Sequence, residues 1–294
     1  MSNSEGGMQT TNLLTLPDGR QLAYAEYGSP DGHPLLYFHG GGSCRLEPLL
    51  LGNNVFSRLG LRVIAPDRPG IGQSDFQAKR GFSDWVKDVE TLADALRLEK
   101  FSVLGISAGG GYAAVCAAKI PERLRAAVIA SGAWQMDTRD KLPKANRLRW
   151  ILMQQFPWLH RGSLKVMQRS LNNSPEKLLA SFKPHLPPAD YAVLASLGRM
   201  EVYRQIATEA LRSGTRGAAW DTQLCLRKWD FSLDEIQMPL TLFYGEQDQN
   251  VPLDVAKRVA ASLPQARLML LPNEGHISVA INQIEAIAKV LVGD

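Results

Sequence analysis

The sequence predicts an α/β protein: a mostly parallel β-sheet flanked by helices. Two observations carry this. Six short runs are apolar along their length rather than alternating, as strands covered on both faces are. Glycine-bearing loops and stretches with helical periodicity separate most of them, and strand–helix alternation builds parallel sheets through right-handed crossovers. With 294 residues, 45% of them hydrophobic, the chain can bury a sizeable core.

The elements follow in order. Residues 1–12 are polar, lack the basic start and apolar stretch of a signal peptide, and are expected to be a flexible N-terminus. Leu13–Gly28 holds two apolar runs around Pro17-Asp18-Gly19 and reads as a β-hairpin. The six apolar runs are Pro34–Phe38, Leu61–Ala65, Phe101–Leu104, Leu124–Ala130, Leu240–Tyr244 and Ala266–Leu271. Ser83 reads as the N-cap of a helix whose apolar face carries Val86, Val89, Leu92 and Leu96. Val255, Val259 and Leu263 repeat at helical spacing between Pro252 and Pro264, and Ile277–Val292 reads as one final amphipathic helix.

One interval breaks the rhythm. From about Gln135 to Phe231 the patterns are helical, at Leu148–Phe156, Leu164–Leu171, Tyr191–Leu197 and Val202–Leu211, with no buried strand. The expected organisation is a core of residues 13–134 and 232–294 with a helical insertion, 135–231. Asp137–Asp230 contains 16 Lys/Arg against 8 Asp/Glu, although the whole chain is only +4. Such a segment either attracts acidic substrates or presents solvated helix faces, the plainer account.

Cys44, Cys116 and Cys225 form neither a metal motif nor a disulfide framework and read as free buried thiols in a cytoplasmic setting. No metal or other cofactor is implied, since no His/Cys/carboxylate cluster has ligand spacing. No apolar run is long enough to cross a bilayer. There is no nucleic-acid motif. The expected partner is a small-molecule substrate, with a homo-oligomer left open.

Four segments carry chemistry. Gly105-Ile106-Ser107-Ala108-Gly109 follows one apolar run and precedes a small-residue helix, Gly110–Lys119. A serine in so sharp a turn projects its hydroxyl, and small neighbours let the backbones approach. A serine hydroxyl needs an adjacent base, and His276 lies just past the run ending at Leu271. His33, His160 and His185 have polar or proline-rich surroundings and read as surface residues. A base needs a carboxylate to fix its tautomer and stabilise its charge. Asp248 and its rival Glu246 lie in the loop after Leu240–Tyr244. His39-Gly40-Gly41-Gly42 follows Pro34–Phe38, where backbone N–H groups can stabilise an oxyanion: Gly41, or Gly42, acting with Ala108. Trp134, Met136, Trp150, Met153, Phe156 and Trp158 are candidates for an apolar pocket wall, or for packing of the insertion. Trp134 and Gly42 are the expected substrate contacts.

Together these segments resemble the α/β-hydrolase superfamily from Leu13 to Val292. The resemblance rests on H-G-G-G at 39–42, the Asp67–Ser74 loop of form D-x-x-G-x-G-x-S, G-x-S-x-G at 105–109, and G-x-x-D-x-x-V-P at 245–252. It implies the α/β-hydrolase fold, with an eight-stranded, mostly parallel sheet and residues 135–231 as a cap over the active site. It also prefers Asp248 to Glu246, giving Ser107, Asp248 and His276 in that order. A serine hydrolase working on a carboxylic ester is the expected function. An aminopeptidase or amidase of the same fold, or a non-enzymatic small-molecule receptor, is the alternative. Proline iminopeptidases share similar loops, but usually carry tryptophan after the nucleophile, where this chain has Ala108.

Overall fold

A computed structural model describes residues 11–52, 54–134, 151, 155–196 and 198–293. Its sheet has eight strands: β1 (Asn12–Thr15), β2 (Gln21–Gly28), β3 (His33–Phe38), β4 (Leu61–Pro66), β5 (Phe101–Ile106), β6 (Leu124–Ala130), β7 (Leu240–Gly245) and β8 (Ala266–Leu271). Their spatial order is β1-β2-β4-β3-β5-β6-β7-β8. β2 runs antiparallel to both neighbours, and all pairs from β4 to β8 are parallel. β1 and β2 form the hairpin around Pro17-Asp18-Gly19, with Gly19 at φ +86° and Thr15 paired to Gln21. The six apolar runs are the six strands β3 to β8.

The helices are α1 (Val55–Arg58), α2 (Ser83–Ala95), α3 (Gly109–Lys119), α4 (Pro157–Ser170), α5 (Pro175–Phe182), α6 (Pro188–Ala195), α7 (Arg199–Ala210), α8 (Arg216–Leu226), α9 (Leu253–Ser262), α10 (Ser278–Asn282) and α11 (Ile284–Val292). The strands' side chains alternate between two cores. Phe38, Val103, Ile129 and Leu242 pack with residues of α2, α3 and α9; Tyr37, Leu104, Val128 and Phe243 pack with α1, α10 and α11. Each large aliphatic side chain so buried contributes about 1.5–3 kcal/mol. β8, at the sheet edge, is only partly covered.

Between β6 and β7 the described residues form α4 to α8 and no strand. A third apolar cluster joins these helices to the loops above the sheet, through residues such as Cys44, Ile71, Ile206, Ala218 and Ile281. Helices α5 and α8 were not anticipated; residues 135–150 of the expected insertion, with Met136 and Trp150, lie outside the described residues, as does Met153.

Three local expectations are corrected. Ser83 makes no capping bond; it is the first residue of α2, and the helix start is satisfied by Asp230, which accepts from Phe82 N–H (3.1 Å) and Ser83 N–H (3.1 Å). The final helix breaks at Gln283, where Asn282 and Gln283 turn their amides to the Glu274 carboxylate. His160 is buried, bonded to Thr222 and Ser163, rather than on the surface.

Candidate active site

The chain runs from β3 to β4 on one side of the sheet and returns to β5 on the other. Loops leaving β3 and β5 therefore diverge, and the crevice between such loops is where open α/β sheets bind ligands. His39–Gly42 leaves β3 and Ser107 leaves β5.

Ser107 is held at φ +51°, a left-handed conformation that costs a non-glycine residue about 1–3 kcal/mol. Its N–H donates to Ala130 O (3.0 Å), and its carbonyl accepts from Gly110 and Ala133 N–H (both 2.9 Å). The flanking glycines have steric reasons. A methyl on Gly109 would lie 2.0 Å from Phe38 O, and one on Gly105 would lie 2.5 Å from Gly109 O. The elbow thus presses against the end of β3 and its glycine loop.

Ser107 Oγ lies 2.9 Å from His276 Nε2, and His276 Nδ1 lies 2.8 Å from Asp248 Oδ2. A carboxylate only accepts, so Nδ1 carries the proton and Nε2 accepts from the serine hydroxyl. Asp248 is fixed in turn: its Oδ1 accepts from Asn250 N–H (2.8 Å) and Val251 N–H (2.9 Å). The loops after β7 and β8 are joined by Gln247 N–H donating to Glu274 O (3.0 Å). Glu246, the rival carboxylate, is exposed. Burial opposes charging of the His276 ring, but the Asp248 carboxylate, its hydrogen bond and the nearby Asp190 outweigh it and raise the pKa above the usual imidazole value.

The glycine loop is pinned at Gly40. Its N–H donates to both oxygens of buried Glu47 (2.9 and 3.1 Å), which also accepts from Tyr37 O–H (2.9 Å). Its carbonyl accepts from buried Arg68 (3.0 Å), which also donates to His39 O. Arg68 and Arg80 share Asp221 of α8. A methyl on Gly41 would meet Ala108 Cβ at 3.5 Å, so the two expected oxyanion donors are neighbours. Among the described residues neither N–H donates a hydrogen bond. Gly42 turns the chain at φ +71°.

The aromatic candidates divide. Trp134 is 1% exposed and packs in the core against Trp229, its indole N–H donating to Tyr244 Oη (2.6 Å). It has no open face to offer a substrate. Phe156 and Trp158 are exposed and touch each other edge to face. All three cysteines are free and buried.

Sequence reasoning missed Glu47, Arg68 and Asp190. Glu47 had a local signal, a carboxylate leading the otherwise apolar Glu47–Leu51 just after the glycine loop. Arg68 sat inside a noticed motif without a role. Asp190 had no local signal. It stands in α6, fully buried, and accepts from three consecutive peptide N–H groups: His276 (2.9 Å), Ile277 (2.9 Å) and Ser278 (2.8 Å).

A family model described as alpha/beta hydrolase fold matches residues 33–282. The chain is an α/β-hydrolase. This hydrolase is 25% identical over 273 residues to a bifunctional esterase/perhydrolase of Acinetobacter calcoaceticus, covering 90% of this chain and 92% of the relative. It is 24% identical over 266 residues to a 2-hydroxymuconate semialdehyde hydrolase of Pseudomonas putida, covering 88% and 87%. Among solved structures, a thermophilic esterase from Thermogutta terrifontis matches with TM-score 0.67 at 21% identity, over 96% of this chain and 97% of that one. At that identity the structure speaks for the fold alone.

Proposed function

We propose that this hydrolase cleaves small-molecule carboxylic esters through a covalent acyl-enzyme on Ser107. The observation that carries the reading is the unbroken line Ser107–His276–Asp248, at 2.9 and 2.8 Å. His276 takes the serine proton as Oγ attacks the ester carbonyl, and Asp248 stabilises the imidazolium. Negative charge then builds on the carbonyl oxygen. In this reading the N–H groups of Gly41 and Ala108 receive it, and the hold of Glu47 and Arg68 on Gly40 keeps the glycine loop from relaxing. Collapse breaks the ester C–O bond, and the leaving alcohol takes its proton from His276. Water, deprotonated by His276, attacks the acyl-enzyme, and the acid leaves as Ser107 is reprotonated. In this reading residues 135–231 roof the site and choose the acyl group.

The test is a fluorophosphonate probe together with a panel of 4-nitrophenyl esters and aminoacyl anilides. Wild type should label and turn over esters. Ser107→Ala should abolish labelling and lower kcat on the order of 10⁴-fold or more. A Ser107→Ala protein with full esterase activity would sink the assignment. Anilide turnover exceeding ester turnover would favour an amidase, and absence of labelling a receptor. The Pseudomonas putida relative favours one further reading, hydrolysis of a carbon–carbon bond beside a carbonyl, as its named substrate contains no ester. Adding that semialdehyde to the panel separates the two.

A further inference from the structure

We propose that Asp190, on the inserted helix α6, is a positioning residue for His276, so that the base is in place only while α6 is seated on the core. The proposal rests on the reading of His276 as the base.

Three observations converge on Asp190. It is 0% exposed, and its carboxylate accepts from the N–H groups of His276, Ile277 and Ser278. Two oxygens receiving three peptide N–H groups fix the direction in which the chain leaves Gly275, and with it the Cα–Cβ bond that aims the imidazole. Second, Gly275 has no room for a side chain, since an added methyl would come within 2.5–2.6 Å of the Asp190 carboxylate atoms. The glycine before the base is thus explained by a residue 85 positions upstream. Third, the carboxylate serves no ion pair: among the described residues no lysine or arginine lies within salt-bridge distance of it. A buried carboxylate without a cation is costly unless peptide donors satisfy it, and here all the donors come from the His276 loop.

The arrangement also bears on charge. The charged groups acting on His276 are Asp248 at Nδ1, Asp190 beneath its backbone, and Glu47 across the glycine loop, all negative. Each favours the imidazolium that forms when Ser107 attacks. Asp190 therefore acts in two separable ways, by geometry and by charge. Asparagine in its place keeps the size and one acceptor, but turns an N–H donor towards a peptide N–H and removes the charge. Alanine removes both effects.

The test compares wild type, Asp190→Asn and Asp190→Ala in the full chain, with His276→Ala alongside. The readouts are the pH dependence of kcat/KM on 4-nitrophenyl butyrate and circular dichroism for folding. We expect kcat to fall about 10- to 100-fold in both Asp190 variants, the scale of a slightly misplaced catalytic group, with KM changed less than about threefold. The acid limb should move to lower pH by about half a unit or more in Asp190→Asn, because a neutral neighbour no longer favours the imidazolium. A folded Asp190→Asn protein with wild-type kcat, or with reduced kcat but an unmoved acid limb, would overturn the proposal while leaving His276 as the base. His276→Ala with wild-type activity would overturn the reading beneath it. Should neither Asp190 variant fold, amide hydrogen exchange on wild type decides. Protection of the His276, Ile277 and Ser278 amides matching that of the central strands supports the clasp, and free-loop exchange rates overturn it.

Discussion

At the scale of single residues, the site depends on three backbone decisions before any side chain acts. Ser107 sits at positive φ, Gly109 lies against Phe38 O, and Gly40 is held at both its N–H and its carbonyl. These are the parts the sequence displayed most openly, because glycine spacing reports directly on close backbone approach. The order Ser, Asp, His was equally legible, since each residue follows an apolar run that becomes a strand. The pKa of His276 gives a signed prediction. In the proposed mechanism the working base is the neutral ring, so kcat/KM should be full above its pKa and fall as pH drops through it. With the pKa raised by Asp248 against the opposing effect of burial, the loss should begin above pH 6.5. Asp248→Asn should leave the fold intact, favour the wrong tautomer and lower kcat by about 10⁴-fold. A pH–rate profile and the rate of that variant check both statements.

At the scale of elements, β3 to β7 were readable because a strand buried on both sides has a composition that polar loops do not share, and β8 has that apolar composition although the sheet edge leaves it only partly covered. Helix starts were less readable. Ser83 had the right chemistry for a cap in the right place, yet its side chain makes no such bond, and a carboxylate 147 residues later in the chain does that work. Local pattern reveals which groups need a partner; topology decides which partner arrives. Trp134 illustrates the same limit. Its place after β6 suggested a pocket wall, but Tyr244 and Trp229, on distant segments, enclose it. Asp230→Ala should remove the acceptor at the start of α2 and destabilise the protein by about 1 kcal/mol. Urea denaturation of that variant against Ser83→Ala, expected to be nearly neutral, tests whether the distant residue is the cap.

At the scale of the whole molecule, the basic segment has an ordering that its composition hides. Asp190 holds the His276 loop, Glu209 pairs with Arg45, Asp221 with Arg68 and Arg80, and Asp230 caps α2. Half of its eight acidic residues thus bond to groups of the core, Asp190 and Asp221 from buried positions, while Arg161, Lys165, Arg169, Arg216, Arg227 and Lys228 are exposed. Asp221 has the clearest energetic role. Burial alone would raise its pKa, but the two guanidinium groups outweigh burial and hold it below the ordinary carboxylate range. A depressed folded-state pKa contributes stability above the unfolded value that is lost as pH falls through the folded one. Asp221→Ala should cost about 3–5 kcal/mol at neutral pH, because two buried cations lose their partner. Its deficit relative to wild type should narrow in strong acid, and urea midpoints at several pH values would show this.

The two buried carboxylates of this segment, Asp190 and Asp221, also bear on how such proteins can be recombined. Grafted onto another sheet of the same fold, the 135–231 segment would bring Asp190 and Asp221 into the interior without the peptide donors of the His276 loop or the paired guanidinium groups of Arg68 and Arg80. The recipient would gain two orphaned buried charges along with the new helices. Transfer of the segment between relatives should therefore yield a stable protein only when the stretches Arg45–Glu47, Asp67–Arg80 and Glu274–Ser278 travel with it.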